Sequence, residues 1–125
     1  MEYNISKSRY CSAVQCPKIL WLKKNMPDVF DSSVVNQAVL DAGSAVGDLA
    51  MGLFGDFVEV SFGNLSDMVA KTKQLMDLQT PVIAEASFST DGLFCSVDIL
   101  KVLNDTEVEL YEVKSSTSVH DLYYK

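Results

Sequence analysis

The sequence predicts an α/β domain built on a central mixed sheet flanked by helices. Three observations carry this. Apolar residues recur at threes and fours through much of the chain as far as residue 78; from Pro81 to Ser116 they change to the alternation and apolar runs of strands. The triplets Thr90-Asp91-Gly92 and Asn104-Asp105-Thr106 then cut that stretch into three consecutive strands. With 125 residues, 48% of them hydrophobic, the chain can bury one core, and 22% charged residues argue against disorder. The expectation is a single domain over residues 1–125 that opens with a helical hairpin over 1–30.

Taken in order, Ser6 is placed to cap a first helix running to about Val14. Pro17 suits the first turn of a second helix whose Ile19, Leu20 and Leu22 face inward. From Ser33 to Phe54 the residues Val35, Val39, Ala42, Val46, Leu49, Ala50 and Leu53 predict one long amphipathic helix, with Gly43 and Gly47 set for close packing on the sheet. Phe57 to Phe62 alternates as a short strand, and Leu65 to Leu78 returns to helical spacing through Met68, Leu75 and Met76. Pro81 opens a strand through Phe88. Strands over 93–103 and 107–116 follow it in an antiparallel meander, and a last helix starts at Ser118. Trp21 and the methionines are expected in the core.

Charges interrupt this pattern where it calls for core. In 107-EVELYEVKSS-116, Val108 and Leu110 share a strand face with Glu112 and Lys114; in 93-LFCSVDILKVL-103, Asp98 interrupts the face of Phe94, Leu100 and Val102. A three-residue loop, Asn104-Asp105-Thr106, pairs Leu103 with Glu107. It sets Leu100 opposite Leu110, Val102 opposite Val108, Lys101 opposite Glu109 as an ion pair, and Asp98 opposite Glu112. A two-residue loop would place Glu109 and Glu107 against Leu100 and Val102 and spoil the apolar face.

Two carboxylates facing each other in a sheet repel unless a cation lies beside them. Lys114 supplies one positive charge. A divalent ion held by both acids would supply more, and hard oxygen ligands suit Mg2+ or Mn2+. Such a set is suited to phosphoryl transfer, with the lysine orienting the attacking water or neutralising the phosphate. Glu85, on a face with Ile83 and Ser87, is either a further metal ligand or the partner of a basic residue. His120 reads as a surface residue. Ser115, Ser116 and Thr117 suit either substrate phosphate or a strand-to-helix cap.

Asp98 together with Glu112-Val113-Lys114 across a hairpin resembles the PD-(D/E)XK nuclease superfamily, and the flanking residues resemble its RecB-type exonuclease branch. The likeness runs in order through 6-SKSRYCSAVQCPKILWLKK-24, 43-GSAVGDLAMGLF-54, 85-EASFSTDGLFCSVDIL-100 and 111-YEVKSSTSVHDLYYK-125. These are similar to segments of a bacterial RecB-like family related to CRISPR-associated exonucleases. The resemblance implies a restriction-endonuclease-like core and a Mg2+- or Mn2+-dependent deoxyribonuclease. In it Asp98 and Glu112 would be metal ligands, Lys114 the catalytic lysine, and Val113 a residue of the other face. Where many such nucleases carry a metal-ligating His, this chain has Gly47-Asp48. The family also continues past this strand into a helix with a Gln-x-x-x-Tyr motif, so the expectation is an N-terminal fragment of a longer protein, with protein partners or fused domains there. Some of these nucleases hold an iron–sulfur cluster; Cys16 matches its N-terminal ligand but the distal cysteine trio has no counterpart in these residues, and the cluster is left out of the expectation.

Three cysteines, Cys11, Cys16 and Cys95, lack close zinc spacing and fit free thiols better than a disulfide framework. Absence of a membrane-length apolar run and of a secretory start makes a cytoplasmic protein without membrane contact the expectation. A formal net charge of -7 counts against DNA as partner, although Lys7, Arg9, Lys18, Lys23 and Lys24 near the N-terminus, with Lys71 and Lys73 later, form local basic clusters. Those clusters also read as ordinary solvated helix faces. The competing reading is a degenerate, non-catalytic nuclease fold used for nucleic-acid or protein binding; a plainer one is an α/β domain whose Glu112 and Lys114 merely pair with charged neighbours.

Overall fold

Asp91 and Gly92 take φ of 48° and 78°, the paired left-handed geometry that turns one strand tightly back on another. In the computed structural model, which describes residues 5–29 and 36–120, that turn joins β3 (Val82–Thr90) to β4 (Leu93–Val102) along nearly their whole length. Around it stand β1 (Ile5–Ser6), β2 (Val58–Glu59) and β5 (Val108–Tyr111). Helices are α1 (Lys7–Gln15), α2 (Pro17–Asn25), α3 (Gln37–Met51) and α4 (Leu65–Asp77), with short 3-10 turns at Pro27–Val29 and Gly52–Phe54. The result is an α/β arrangement with a mixed sheet flanked by helices. β1 and β2 pair in parallel with β4 and β3, and the other ladders are antiparallel.

The β4–β5 register is the one the residues argued for. Leu100 faces Leu110, Lys101 faces Glu109 and Val102 faces Val108, and Leu103 N–H donates to Glu107 O at 3.0 Å around the three-residue loop. Lys101 and Glu109 form the expected ion pair at 3.4 Å. The ladder stops earlier than alternation predicts. β5 ends at Tyr111 opposite Ile99, so residues 112–116 lie outside it.

Helix starts follow side-chain caps. Ser6 Oγ accepts from Arg9 N–H, Asn36 Oδ1 from Ala38 N–H and Asn64 Oδ1 from Ser66 N–H, each satisfying a first-turn donor. Asn36 therefore starts α3 three residues after the expected Ser33; residues 33–35 lie outside those described. At the other end the predicted helix breaks at Gly52 into a 3-10 turn. Among the described residues, 118–120 are not helical, Ser116 Oγ donating to Ser118 O at 2.6 Å in a local turn; the rest of the expected last helix lies outside the described residues.

The core lies between α4 and the sheet. Met68, Thr72 and Leu75 on one stripe of α4 meet Val60, Ile83, Ala86 and Leu100, all buried. Each large apolar side chain so placed contributes roughly 1.5–3 kcal/mol by leaving water. Beyond the short β2, the Ser87 N–H finds an acceptor in Thr72 Oγ1 at 2.8 Å, while that hydroxyl donates to Met68 O at 2.9 Å.

Other expected core positions are not buried. α1, α2 and α3 contribute no fully buried residue. Ile19, Leu20 and Leu22 are half-buried, Trp21 is 56% exposed, Met26 is exposed, and so are Val39, Leu40 and Leu49 on α3 and Leu53 in the 3-10 turn after it. A Cβ on Gly43 would meet Ser115 Oγ at 3.8 Å, an ordinary contact, and one on Gly47 would meet nothing within 4 Å, so neither glycine is required by close packing. Among the described residues no helix is long and apolar enough to cross a membrane.

Candidate active-site cleft

One edge of β4 pairs with β3, and the opposite edge is shared. β1 takes it at Leu93–Phe94 and β5 at Ile99–Val102, so Cys95 to Asp98 have no strand partner there. Into this gap comes the backbone that follows β5. Val113 N–H donates to Asp98 Oδ2 at 2.6 Å, replacing a ladder bond with a charge-assisted side-chain bond. That capture sets Asp98 beside the Val113 backbone, whereas the expected Asp98–Glu112 pair is not a ladder step, because the ladder ends at Ile99–Tyr111.

β1 borders the same gap. Ile5 N–H donates to Gly92 O at 2.7 Å, β1 lies along the start of β4, and α1 begins at once with Lys7. Lys7 Nζ bonds Glu112 Oε2 at 2.6 Å and Lys114 Nζ bonds Glu112 Oε1 at 2.5 Å, so both carboxylate oxygens hold an ammonium. Burial opposes ionisation of Glu112, but the bonds from Lys114 and Lys7 outweigh it and keep this carboxyl below the ordinary glutamate range.

A cleft of about 1100 Å³ opens between α3 and the sheet, and its walls include Glu59, Glu85, Asp98, Asp48, Val113 and Ser115. Glu85 lies across β3–β4 from Asp98, between the pairs Ala84–Ile99 and Ala86–Val97, and its backbone has φ 57°. A non-glycine residue held there is strained. Burial raises the Glu85 carboxyl above its ordinary value, and the negative charges of Asp98, Glu59 and Glu112 add to this against the opposing charge of Lys7. Among the described residues the Glu85 side chain makes neither a hydrogen bond nor an ion pair.

Alternation along the last segment differs from expectation. Val113, assigned to the opposite face, lines the cleft with Asp98, whereas Glu112 and Lys114 are absent from its walls and pair on the Lys7 side. The physical reason is the loss of ladder pairing at Tyr111: beyond it Val113 N–H follows the Asp98 carboxylate and not a strand partner.

The donor set suits a hard divalent ion in kind, since Glu85 is an unpaired, half-buried carboxylate crowded by other acids. Among the described residues no group of three or more His, Cys, Asp or Glu gathers to hold a metal, and of the three expected ligands Asp98 and Glu85 line the cleft while Glu112 does not. Two residues near these acids were missed as site members. Glu59, in a two-residue strand, looks like any solvent-facing charge. Lys7 looks like one of several basic residues near the N-terminus. His120 lies apart from this set, with Nε2 and Ser116 Oγ 3.0 Å from each other. Cys11, Cys16 and Cys95 are free thiols. Compared with known family models, curated proteins and solved structures, the chain matches none.

Proposed function

We propose that this chain is a metal-dependent DNA nuclease domain of PD-(D/E)XK, RecB-like type, with a restriction-endonuclease-like core whose β3–β4–β5 meander carries the chemistry of phosphodiester hydrolysis. The observation that carries the reading is the junction of Asp98 with Glu112-Val113-Lys114, held by the Val113 N–H bond to Asp98 at 2.6 Å. An acid in one arm of the hairpin and an acid–x–lysine triplet in the other stand together on an unpaired stretch of sheet edge.

Asp98 and Glu85 of the cleft wall, joined by Glu112 once it leaves its two lysines, are the residues that would hold Mg2+ or Mn2+, which when bound would supply an acidified water and charge neutralisation at the leaving oxygen. Lys114 stabilises charge on the phosphate or orients the water. The basic residues of α1 and α2 (Lys7, Arg9, Lys18, Lys23 and Lys24) supply phosphate contacts on a chain whose net charge is -7. In a longer polypeptide, fused domains or protein partners would add to this surface.

Incubating the protein with labelled DNA tests the reading. Degradation that requires Mg2+ or Mn2+, stops with chelator and is lost in Asp98→Asn and Glu112→Ala supports it. Absence of degradation both in this chain and in any longer natural form, or activity indifferent to Glu112→Ala, overturns it. A second reading, a degenerate nuclease fold that binds without cutting, is favoured by one observation: both Glu112 oxygens are taken by lysines. It predicts DNA or protein binding with no heat on titration of Mn2+.

A further inference from the structure

We propose that Trp21, on the outer face of α2, is a stacking platform for an unpaired DNA base, with the lysines around it holding the adjoining phosphates. The inference rests on the DNA partner of the nuclease reading and goes further, naming the part of the strand that is gripped and the residue that grips it.

Charge is segregated along this chain. Residues 7–25 hold five of its ten lysines and arginines and none of its seventeen acids, although the formal net charge is -7. They form α1 and α2, which pack on each other, and Lys7, Arg9, Lys18, Lys23 and Lys24 are all exposed. A polyanion is the partner that such a face complements. Helical spacing then sets an aromatic among the cations. Lys18 lies three residues before Trp21 and Lys24 three after it, so the three share the outer face of α2, while Ile19, Leu20 and Leu22 are half-buried. Water solvates the lysines well. It does not serve the indole of the chain's single tryptophan, which stays 56% exposed although phosphate contacts need no aromatic. A base on an unpaired strand supplies the flat surface that this indole lacks, and aromatic stacking beside cations that track the backbone holds single strands without reading their sequence. Duplex DNA keeps its bases stacked on one another and offers α2 only phosphates. An anionic lipid surface fits less well, because membrane affinity grows with the apolar area buried and the other apolar residues of α2 are already half-buried.

Titration with a short oligothymidylate in EDTA, which withholds the metal of the cleavage reaction, tests this through the emission of the one tryptophan. Stacking is expected to quench that emission saturably. Anisotropy of the labelled oligonucleotide should show Trp21→Ala binding about tenfold more weakly, with Trp21→Phe recovering most of the loss. A blunt duplex of the same length is the control, and its affinity should change by less than about twofold in Trp21→Ala, because phosphate contacts carry it. Binding of the oligonucleotide without quenching, an unchanged affinity in Trp21→Ala, or an equal loss on the duplex each overturns the stacking role and leaves the nuclease reading to its own degradation assay. Failure to bind oligothymidylate overturns it too, and blue-shifted emission with phosphatidylserine vesicles alone would give the patch to lipid. Absence of Mg2+-dependent degradation overturns the nuclease reading, but not the platform if quenching and the loss in Trp21→Ala stand. If circular dichroism shows Trp21→Ala unfolded, Trp21→Gln replaces it under the same criteria.

Discussion

Val113 N–H, two residues past Tyr111, donates at 2.6 Å to Oδ2 of Asp98, the neighbour of Ile99, just beyond the last ladder pair, Ile99 with Tyr111. Asp98 thus holds the end of the hairpin together as well as carrying a charge toward the cleft. Asp98→Ala removes the acceptor and should cost about 1–3 kcal/mol in urea unfolding, whereas Asp98→Asn keeps an acceptor and should cost less than half of that. Equal losses in the two variants would mean that the carboxylate does not hold this backbone.

Thr72 makes a parallel prediction in the core. Its hydroxyl accepts from Ser87 N–H at 2.8 Å, and both residues are buried. Thr72→Val preserves shape but strands a buried donor, so it should destabilise by about 1–3 kcal/mol, and Thr72→Ser should recover part of the loss. Denaturant midpoints at unchanged m-value provide the measurement. A Thr72→Val protein as stable as wild type would assign the Ser87 N–H another acceptor.

How much of this was legible in the residues depended on the kind of interaction. Leu100 opposite Leu110 and Lys101 opposite Glu109 were readable because strand alternation and loop length leave one register that keeps an apolar face. The end of β5 was not, since periodicity reports side-chain polarity and is blind to a carboxylate capturing the Val113 backbone. α3 was legible as a helix but not as an exposed one: the spacing of Val39, Val46 and Leu49 marks an apolar stripe without saying what covers it, and Leu49 is 80% exposed. Lys7 lies too far along the chain from Glu112 for any local pattern to join them. Nor does any residue pattern announce the left-handed backbone of Glu85.

That Glu85 conformation carries a pH prediction. Burial, then the charges of Asp98, Glu59 and Glu112, raise its carboxyl in the folded chain, so the folded state binds this proton more tightly than the unfolded one does. Stability from this group is therefore complete below the ordinary glutamate value and declines as pH rises through the elevated one. Glu85→Gln should be more stable than wild type at pH 7 in chelator-treated buffer, by less than about 1 kcal/mol because the group is partly solvated. The advantage should shrink to nothing near pH 4. Thermal melts across that range would reject the crowding argument if the advantage were constant or reversed.

DNA affinity provides the remaining test, and its sign follows from charge. An acidic chain can hold a polyanion only through local cation clusters, and α2 ends with Lys23 and Lys24 in its last turn, with Lys18 near its start. If these contact phosphates, each contact releases counterions, and the slope of log affinity against log salt falls by about 0.9 per phosphate on duplex DNA. Replacing Lys18, Lys23 and Lys24 by Gln should then weaken duplex binding and lower the slope by about two to three, while leaving the core and its melting temperature near wild type, since all three side chains are exposed. Fluorescence anisotropy at several salt concentrations reads both quantities. An unchanged slope would move the phosphate track away from α2, toward Lys7 and Arg9 at the start of α1 or Lys71 and Lys73 on α4, and a triple variant there would carry the same arithmetic.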